Sequence, residues 1–513
     1  MKQIKFPLIG IPVIIFLSFF ILSFNASIQK ELVIIDSVHN YDLNPHTASY
    51  SSESQVLNAL YEGLFTYNPM TLEPIPAIAE SFSISLDKTQ WIFTLRQDAM
   101  FSNGERITAD DVKNSWIALL DPNLHAPFAS LFDCIKGVAD YRTGKGELSD
   151  VGITAKNKTT LIVQLNTPTD YFSKILTHHA FAVVPSEKGV YSGAYTLKER
   201  TASGLVFEKS NTYYDAKNVA IPSIRIINDD DVRENTYLFN MGDVQWVTGG
   251  VNINNIYDDS SLYISAQFAT EFIFFKAGNK PWDDPVLRNA VIAAMPWESL
   301  RNNLVSAETL VLPIGDYPKV IGTVEQDIEY AKELLKEAGY DLADGNDLPE
   351  LTFAIPDGEY TRNMAMLISE ALAEVGITVR IETTPTSRYL GTFDGWDADL
   401  FIYTWIGDFA DPLSFLDLFR SDSSLRETEW VDSHYDSLLE QAAYAENPTE
   451  RYKKLAEAEQ YLLDEGIVLP ISHPVSFNVV DTGVLGGWYP NALDIHPYKY
   501  LYFIETTTGD NFI

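Results

Sequence analysis

The residues best suited to hold a small charged solute lie in one ten-residue stretch, YTWIGDFADP (Tyr403–Pro412). It overlaps the end of an apolar run with strand character, DLFIYTW (Asp399–Trp405). In α/β sheets, ligands bind in the crevice beyond the carboxyl ends of the strands, which is where this turn would lie. The stretch joins aromatic surface (Tyr403, Trp405, Phe409) to carboxylates (Asp408, Asp411). Aromatic faces attract cations and carboxylates accept charge-assisted hydrogen bonds, so the combination suits an ammonium group in an apolar cleft. Asp411, directly before Pro412, reads as a helix N-cap. For Asp408 the pattern leaves two readings open, a ligand carboxylate and an ordinary loop residue.

Residues for bond-breaking chemistry are not assembled anywhere in the chain. HExxH, GxSxG, GxxxxGK[ST] and GxGxxG are all missing from the sequence. His178 and His179 are adjacent, so on a helix or strand they cannot face one metal ion. Eight His and one Cys give a transition-metal site little to build on, and no metal or cofactor is expected. Carboxylates are too plentiful for any pair to stand out as an acid–base couple. The reading is a binding protein and not an enzyme. Cys134, the lone cysteine, cannot form an internal disulfide and is expected to be a small buried apolar residue.

The elements that must position the Tyr403–Pro412 stretch are mixed strand and helix. LVIID (Leu32–Asp36) and WIFTLRQ (Trp91–Gln97) read as strands, and the second runs through a turn at Asn103-Gly104 into a helix opening at Thr108. Asp111, three residues on, completes a capping box with Thr108. Residues 153–227 alternate in polarity and read as several strands. Further on, Thr323 and Gln326 are taken to cap a helix that places Val324, Ile328, Ala331, Leu334, Leu335 and Ala338 on one face and stops at Gly339. LTFAI (Leu351–Ile355), a helix from Thr361 to Val375, and ITVRIET (Ile377–Thr383) form a βαβ unit, which requires a parallel pair of strands. Asn447-Pro448 with Glu450 opens a helix ending at Gly466, followed by the strand IVLPIS (Ile467–Ser472).

Bulk properties narrow the partners. The chain has 513 residues, 46% hydrophobic, with a formal net charge of −35. That is ample for a packed core in more than one domain, and so acidic a surface repels phosphate backbones, which argues against nucleic acid. Lys2 and Lys5 precede a nearly unbroken apolar run from Phe6 to Phe24, the pattern of an export segment. Residues 1–26 are read as that segment, either cut after export or kept as the sole membrane anchor. No Cys follows it for lipid attachment, and the expected location is the periplasm or cell envelope.

Seven segments together resemble the bacterial extracellular solute-binding proteins of family 5, the oligopeptide- and dipeptide-binding type. They are DLNPH (Asp42–His46), YEGLFTYNPMTLEPIPAIAESF (Tyr61–Phe82), FTLRQDAMFSNGERITADDVKNSWIALLDP (Phe93–Pro122), SGAYTLKERTASGLVFEKSNTYYD (Ser192–Asp215), NKPWDDPVLRNAVIAAMP (Asn279–Pro296), YAKELLKEAGY (Tyr330–Tyr340) and WIGDFADPLSFLDLF (Trp405–Phe419). Each is loose alone, but all seven stand in the family's order and spacing. The resemblance implies an α/β, two-lobed periplasmic-binding-protein fold of type II, with an extra subdomain in the first lobe and the ligand cleft between lobes. The first lobe would take residues 27–272 and 478–513, with the subdomain at about 50–165, and the second lobe 273–477.

The same resemblance implies a monomeric receptor that captures short peptides and delivers them to an ABC-type import permease. In peptide-binding members an Asp in the W-x-x-D segment meets the peptide's α-ammonium group; that position is Asp408 here, with Trp405 as the matching aromatic. Tyr403, Thr404, Ile406 and Gly407 complete the implied ligand set, and the backbone around Thr404–Gly407 and the strand after Leu32 would pair with the peptide main chain. The chain departs from the pattern at Ile402. Oligopeptide binders can carry there an Arg for the ligand's carboxylate, so ligand length stays open, as does a different solute such as an oligosaccharide or metal chelate.

Overall fold

The computed structural model describes residues 31–505, except 49, 50, 125, 303, 324, 341–347, 390–395, 408, 422 and 424–427. The export segment lies outside that range. The first strands are β1 (Glu31–Asp36), the hairpin β2 (Phe65–Tyr67) and β3 (Pro74–Pro76), then β4 (Ala79–Ile84), β5 (Gln90–Leu95), β6 (Ile153–Asn157) and β7 (Thr160–Gln164). They are followed by β8 (Tyr195–Thr201), β9 (Gly204–Lys209), β10 (Ser223–Asn228), β11 (Trp246–Val247) and β12 (Leu262–Ala266). Then come β13 (Ala269–Phe275), β14 (Leu351–Pro356), β15 (Val379–Thr384), β16 (Leu400–Ile406), β17 (Val468–Ser472) and β18 (Val475–Val480), and a short pair, β19 (Leu485–Gly486) and β20 (Tyr502–Phe503), ends the series.

Three larger sheets result. One has seven strands in the order β12-β18-β11-β1-β10-β9-β8, a second has five, β15-β14-β16-β13-β17, and a third has four, β4-β5-β7-β6. The chain leaves the seven-stranded sheet after Ala266 and enters the five-stranded one at Ala269; it returns between Ser472 and Val475. The two crossings run side by side, with the Gln267 amide donating to the Pro474 carbonyl at 2.8 Å.

Local chemistry explains most element ends. Helix α1 (Ala109–Leu119) starts with the expected capping box: the Thr108 amide donates to Asp111 Oδ2 at 2.8 Å, and the Asp111 amide donates to Thr108 Oγ1 at 3.4 Å. Val112, Trp116 and Leu119 form its buried stripe. Helix α2 (Ile328–Glu337) begins later than the sequence pattern suggested. Its cap is Asp327, which accepts from the Tyr330 amide. Thr323 and Gln326 are engaged elsewhere: the Thr323 carbonyl accepts from Arg301, and the Gln326 side chain donates to the Ala294 carbonyl. Val324 lies outside the described residues. Gly339 follows with φ +93°, a left-handed conformation that ends the helix.

The βαβ unit is present. β14 and β15 pair in parallel, Leu351 opposite Val379, with α3 (Glu359–Ala373) between them in sequence. Asn447 caps α4 (Pro448–Asp464) by accepting from the Glu450 amide. The largest apolar cluster surrounds the five-stranded sheet, and a second surrounds the four-stranded sheet. Two residues of the β2–β3 hairpin, Tyr67 and Leu72, are buried in the first of these cores.

Candidate functional site

β16 carries the site because of how its two edges are occupied. β13 pairs with it antiparallel along its whole length, Ala269 opposite Ile406 through Phe275 opposite Leu400. β14 pairs with it only at Leu400 and Phe401. Past that point Tyr389 takes the place of β14: the Ile402 amide donates to the Tyr389 hydroxyl at 2.9 Å, and that hydroxyl lies 2.9 Å from the Ile402 carbonyl. The Gly407 amide donates the other way, to the Phe268 carbonyl at 2.8 Å. Hydrogen-bonding direction alternates along an antiparallel strand. With Ile402 turned to Tyr389 and Gly407 to Phe268, the N–H and C=O groups of Thr404 and Ile406 point away from β13, to an edge that is open among the described residues.

The side chains follow the same alternation. Thr404 and Ile406 are exposed, whereas Tyr403 and Trp405 are half-buried on the other face, with ring centroids 6.3 Å apart. Trp405 Nε1 donates to the Ser414 carbonyl at 2.8 Å, which fixes the indole. Gly407 is a close-approach position: a Cβ there would lie 2.5 Å from the Phe268 ring and 2.8 Å from Ser414 Oγ. Asp408 itself lies outside the described residues.

The residues after Asp408 turn inward. Phe409 is buried in the core of the four-stranded sheet, stacked on Tyr171 with centroids 5.6 Å apart, and so offers no surface to a cleft. Lys174 Nζ donates to the Ala410 carbonyl at 2.9 Å. Asp411 is buried and accepts from both terminal nitrogens of Arg451, at 2.7 and 2.8 Å, with Lys174 Nζ 3.8 Å away. Arg451 in turn lies 4.7 Å from the Tyr171 ring centroid. Burial works against the Arg451 charge, but the Asp411 carboxylate outweighs it and holds its pKa above the ordinary value. The Leu413 amide does donate to Asp411 Oδ1, as a cap requires, yet the dominant partner is the guanidinium. This carboxylate is committed to the fold.

Other expectations meet the structure less directly. β1 has both edges occupied, by β10 along its length and by β11 at Ile34 and Ile35, so its own backbone offers no free edge to a peptide. His178 caps and His179 opens a short 3-10 helix, and their rings lie 4.2 Å apart. Burial pushes His179 down to about 4, and burial together with the neighbouring His179 holds His178 well below its ordinary value. Among the described residues no group of three or more His, Cys, Asp or Glu side chains is placed to hold a metal ion. Cys134 is half-buried against the core, more exposed than expected, and burial raises its thiol pKa. Sequence reasoning missed Tyr389, Arg451, Tyr171, Lys174 and Glu271. Only the first of these carried any local signal, a Tyr near a strand end, and nothing in the sequence placed it against Ile402.

Comparison with known proteins gives a consistent result. Residues 73–426 match the family described as bacterial extracellular solute-binding proteins, family 5 Middle. The oligopeptide-binding protein OppA of Bacillus subtilis is 26% identical over 498 residues, covering 90% of this chain and 91% of that protein. The probable deoxycholate-binding periplasmic protein YgiS of Escherichia coli is 25% identical over 90% of this chain and 91% of that one. Among solved structures, Haemophilus influenzae OppA in complex with RPPGFSPFR superposes with a TM-score of 0.76 at 22% identity, covering 93% of this chain and 99% of that one. The fold is accordingly the two-lobed, mixed α/β periplasmic-binding-protein fold.

Proposed function

From the premise that this chain belongs to the bacterial extracellular solute-binding proteins of family 5, we propose that it captures short peptides and delivers them to an ABC-type import permease. The observation that carries the reading is the open edge of β16, where Thr404 and Ile406 present main-chain groups. An extended peptide adds to such an edge as a further strand, and main-chain pairing gives affinity with little demand on sequence. Asp408 takes the peptide's α-ammonium group, with Trp405 and Tyr403 as aromatic wall beside it. Asp411 does not compete, because Arg451 and Lys174 already neutralise it.

Capture involves no bond making or breaking. The lobes are the parts of the chain on either side of the crossings at Gln267–Phe268 and His473–Pro474, with the subdomain built on the four-stranded sheet. Rotation about these crossings closes the cleft over the ligand. The protein works outside the cytoplasm as a monomer, attached to the membrane only through residues 1–26 where these are not removed. The test is native mass spectrometry of the protein purified from its own cells, then denaturing release of what it holds. A heterogeneous set of short peptides is expected; a single non-peptide species would overturn the reading. The second reading, another small solute, draws support from Ile402, which offers no charge to a ligand carboxylate, and from the relative named for deoxycholate.

A further inference from the structure

We infer that Glu271, on the strand next to the open edge, is a second anionic anchor in the cleft and gives this receptor a preference for peptides that carry a basic side chain. The inference rests on the peptide reading above and specifies the class of peptide.

Glu271 lies in β13 directly opposite Thr404 of β16. Directly opposed residues of an antiparallel pair project from the same face, so Glu271 shares the face of exposed Thr404 and Ile406. On β13 and β16 the remaining neighbours on that face are apolar, Ala269 opposite Ile406 and Ile273 opposite Ile402, and on the other edge of β13 the uncharged Ser472 of β17 stands opposite Glu271. Glu271 is therefore the one ionisable group among these positions. It stands at the carboxyl-end side of β14, where α3 begins and Tyr360 reaches over to it. The Tyr360 hydroxyl donates to Glu271 Oε1 at 2.5 Å.

What the carboxylate lacks is a cation. Among the described residues no Lys, Arg or His forms an ion pair with Glu271. Two other acids withdrawn from water are matched: Asp411 by Arg451, and Glu62 by Lys499 at 2.7 Å. Among the described residues Glu459 has no cation either, but it is wholly enclosed and cannot meet a ligand. Glu271 is half-buried and still reachable. Burial raises its pKa and the Tyr360 hydrogen bond only partly offsets this, so the carboxylate sits in an environment that disfavours its charge. An incoming ammonium or guanidinium group would relieve that penalty and make a charge-assisted bond.

A merely structural role, in which Glu271 clips α3 to the sheet through Tyr360, predicts a different result. The experiment titrates the full mature protein by calorimetry with tetra-alanine carrying a single lysine at each position in turn, and with the same peptides carrying norleucine instead. Norleucine keeps the aliphatic stem and lacks the charge. For at least one position the wild type should bind the lysine peptide roughly tenfold or more tighter than its norleucine partner. Glu271→Gln, which can still accept from Tyr360, should bring that ratio to about one, while Tyr360→Phe should leave it above five. Equal binding of both peptide sets by the wild type, or a ratio that survives in Glu271→Gln, overturns the role of Glu271 alone. If no peptide of either set binds, the peptide reading itself falls and takes this inference with it.

Discussion

Asp408 and Asp411 are three residues apart, and different duties are assigned to them: Asp408 is proposed to meet the ligand. Asp411 is enclosed with Arg451, so its charge is spent inside the protein. Asp408 follows the open edge and is the residue assigned to the ligand ammonium. Asp408→Asn is expected to weaken binding of a co-purifying peptide by roughly tenfold or more while leaving the melting temperature unchanged. Calorimetry beside thermal denaturation checks both halves, and unaltered affinity would remove Asp408 from the site. Glu459 gives a pH prediction of its own. It is fully buried, and its carboxylate accepts from the Val311 amide and the Tyr317 hydroxyl, both at 2.8 Å. Burial raises its pKa to about 7 from the ordinary 4.5, against the pull of those bonds. Above 4.5 the unfolded chain loses this proton while the folded chain keeps it until about 7, so stability falls as pH rises through that window and stays lower beyond it. The loss is about 3 kcal/mol if no other group compensates. Glu459→Gln keeps both partners and should gain on the wild type by up to that amount between pH 5 and 8, read from urea titrations; parallel curves would mean that Glu459 ionises normally.

At the scale of elements, the Asp411–Arg451 pair joins the turn after β16 to α4, and Lys174 brings in the segment after β7. Removing one member of a buried pair leaves an uncompensated charge, which costs about 3–5 kcal/mol. Arg451→Met should lose stability on that scale, and adding Asp411→Asn should restore much of it, because the orphaned carboxylate goes as well. An additive loss in the double variant would show that the pair is not the source. This pairing also shows where the sequence stops being readable. Asn447 and Thr108 could be assigned as caps because their partners lie three residues on, and β16 could be found from its own apolar run. Arg451 is 40 positions from Asp411, and Lys174 is 236 from Ala410, so neither contact leaves a local pattern. The start of α2 is hidden for the same reason: Thr323 and Gln326 resemble caps until Arg301 and Ala294 claim them. The family resemblance supplied the two-lobed plan that spacing and periodicity alone do not contain.

Across the whole molecule, the bodies built on the sheets touch at the crossings at Gln267–Phe268 and His473–Pro474 and, among the described residues, at further contacts beyond them. The Tyr67–Leu72 hairpin tip enters the core of the five-stranded sheet, and Phe409 enters the core of the four-stranded sheet to stack on Tyr171. Phe409 directly follows Asp408, the residue proposed to meet the ligand's ammonium group. A contact made in only one of two conformations shifts the balance towards that conformation by its own free energy. If the Phe409–Tyr171 stack belongs to the closed arrangement, Phe409→Ala should move the unliganded protein towards an open one. The radius of gyration from small-angle X-ray scattering should then rise, and saturating peptide should return it to the wild-type value at the expense of affinity. Burial of a phenylalanine is worth about 3–5 kcal/mol when the side chain is truncated to alanine, enough to reverse a balance of a few kcal/mol. A variant that melts earlier yet scatters like the wild type, with and without peptide, would place the stack in both arrangements. The rotation would then pivot on the hairpin and the crossings together, and Phe409 would take no part in closure.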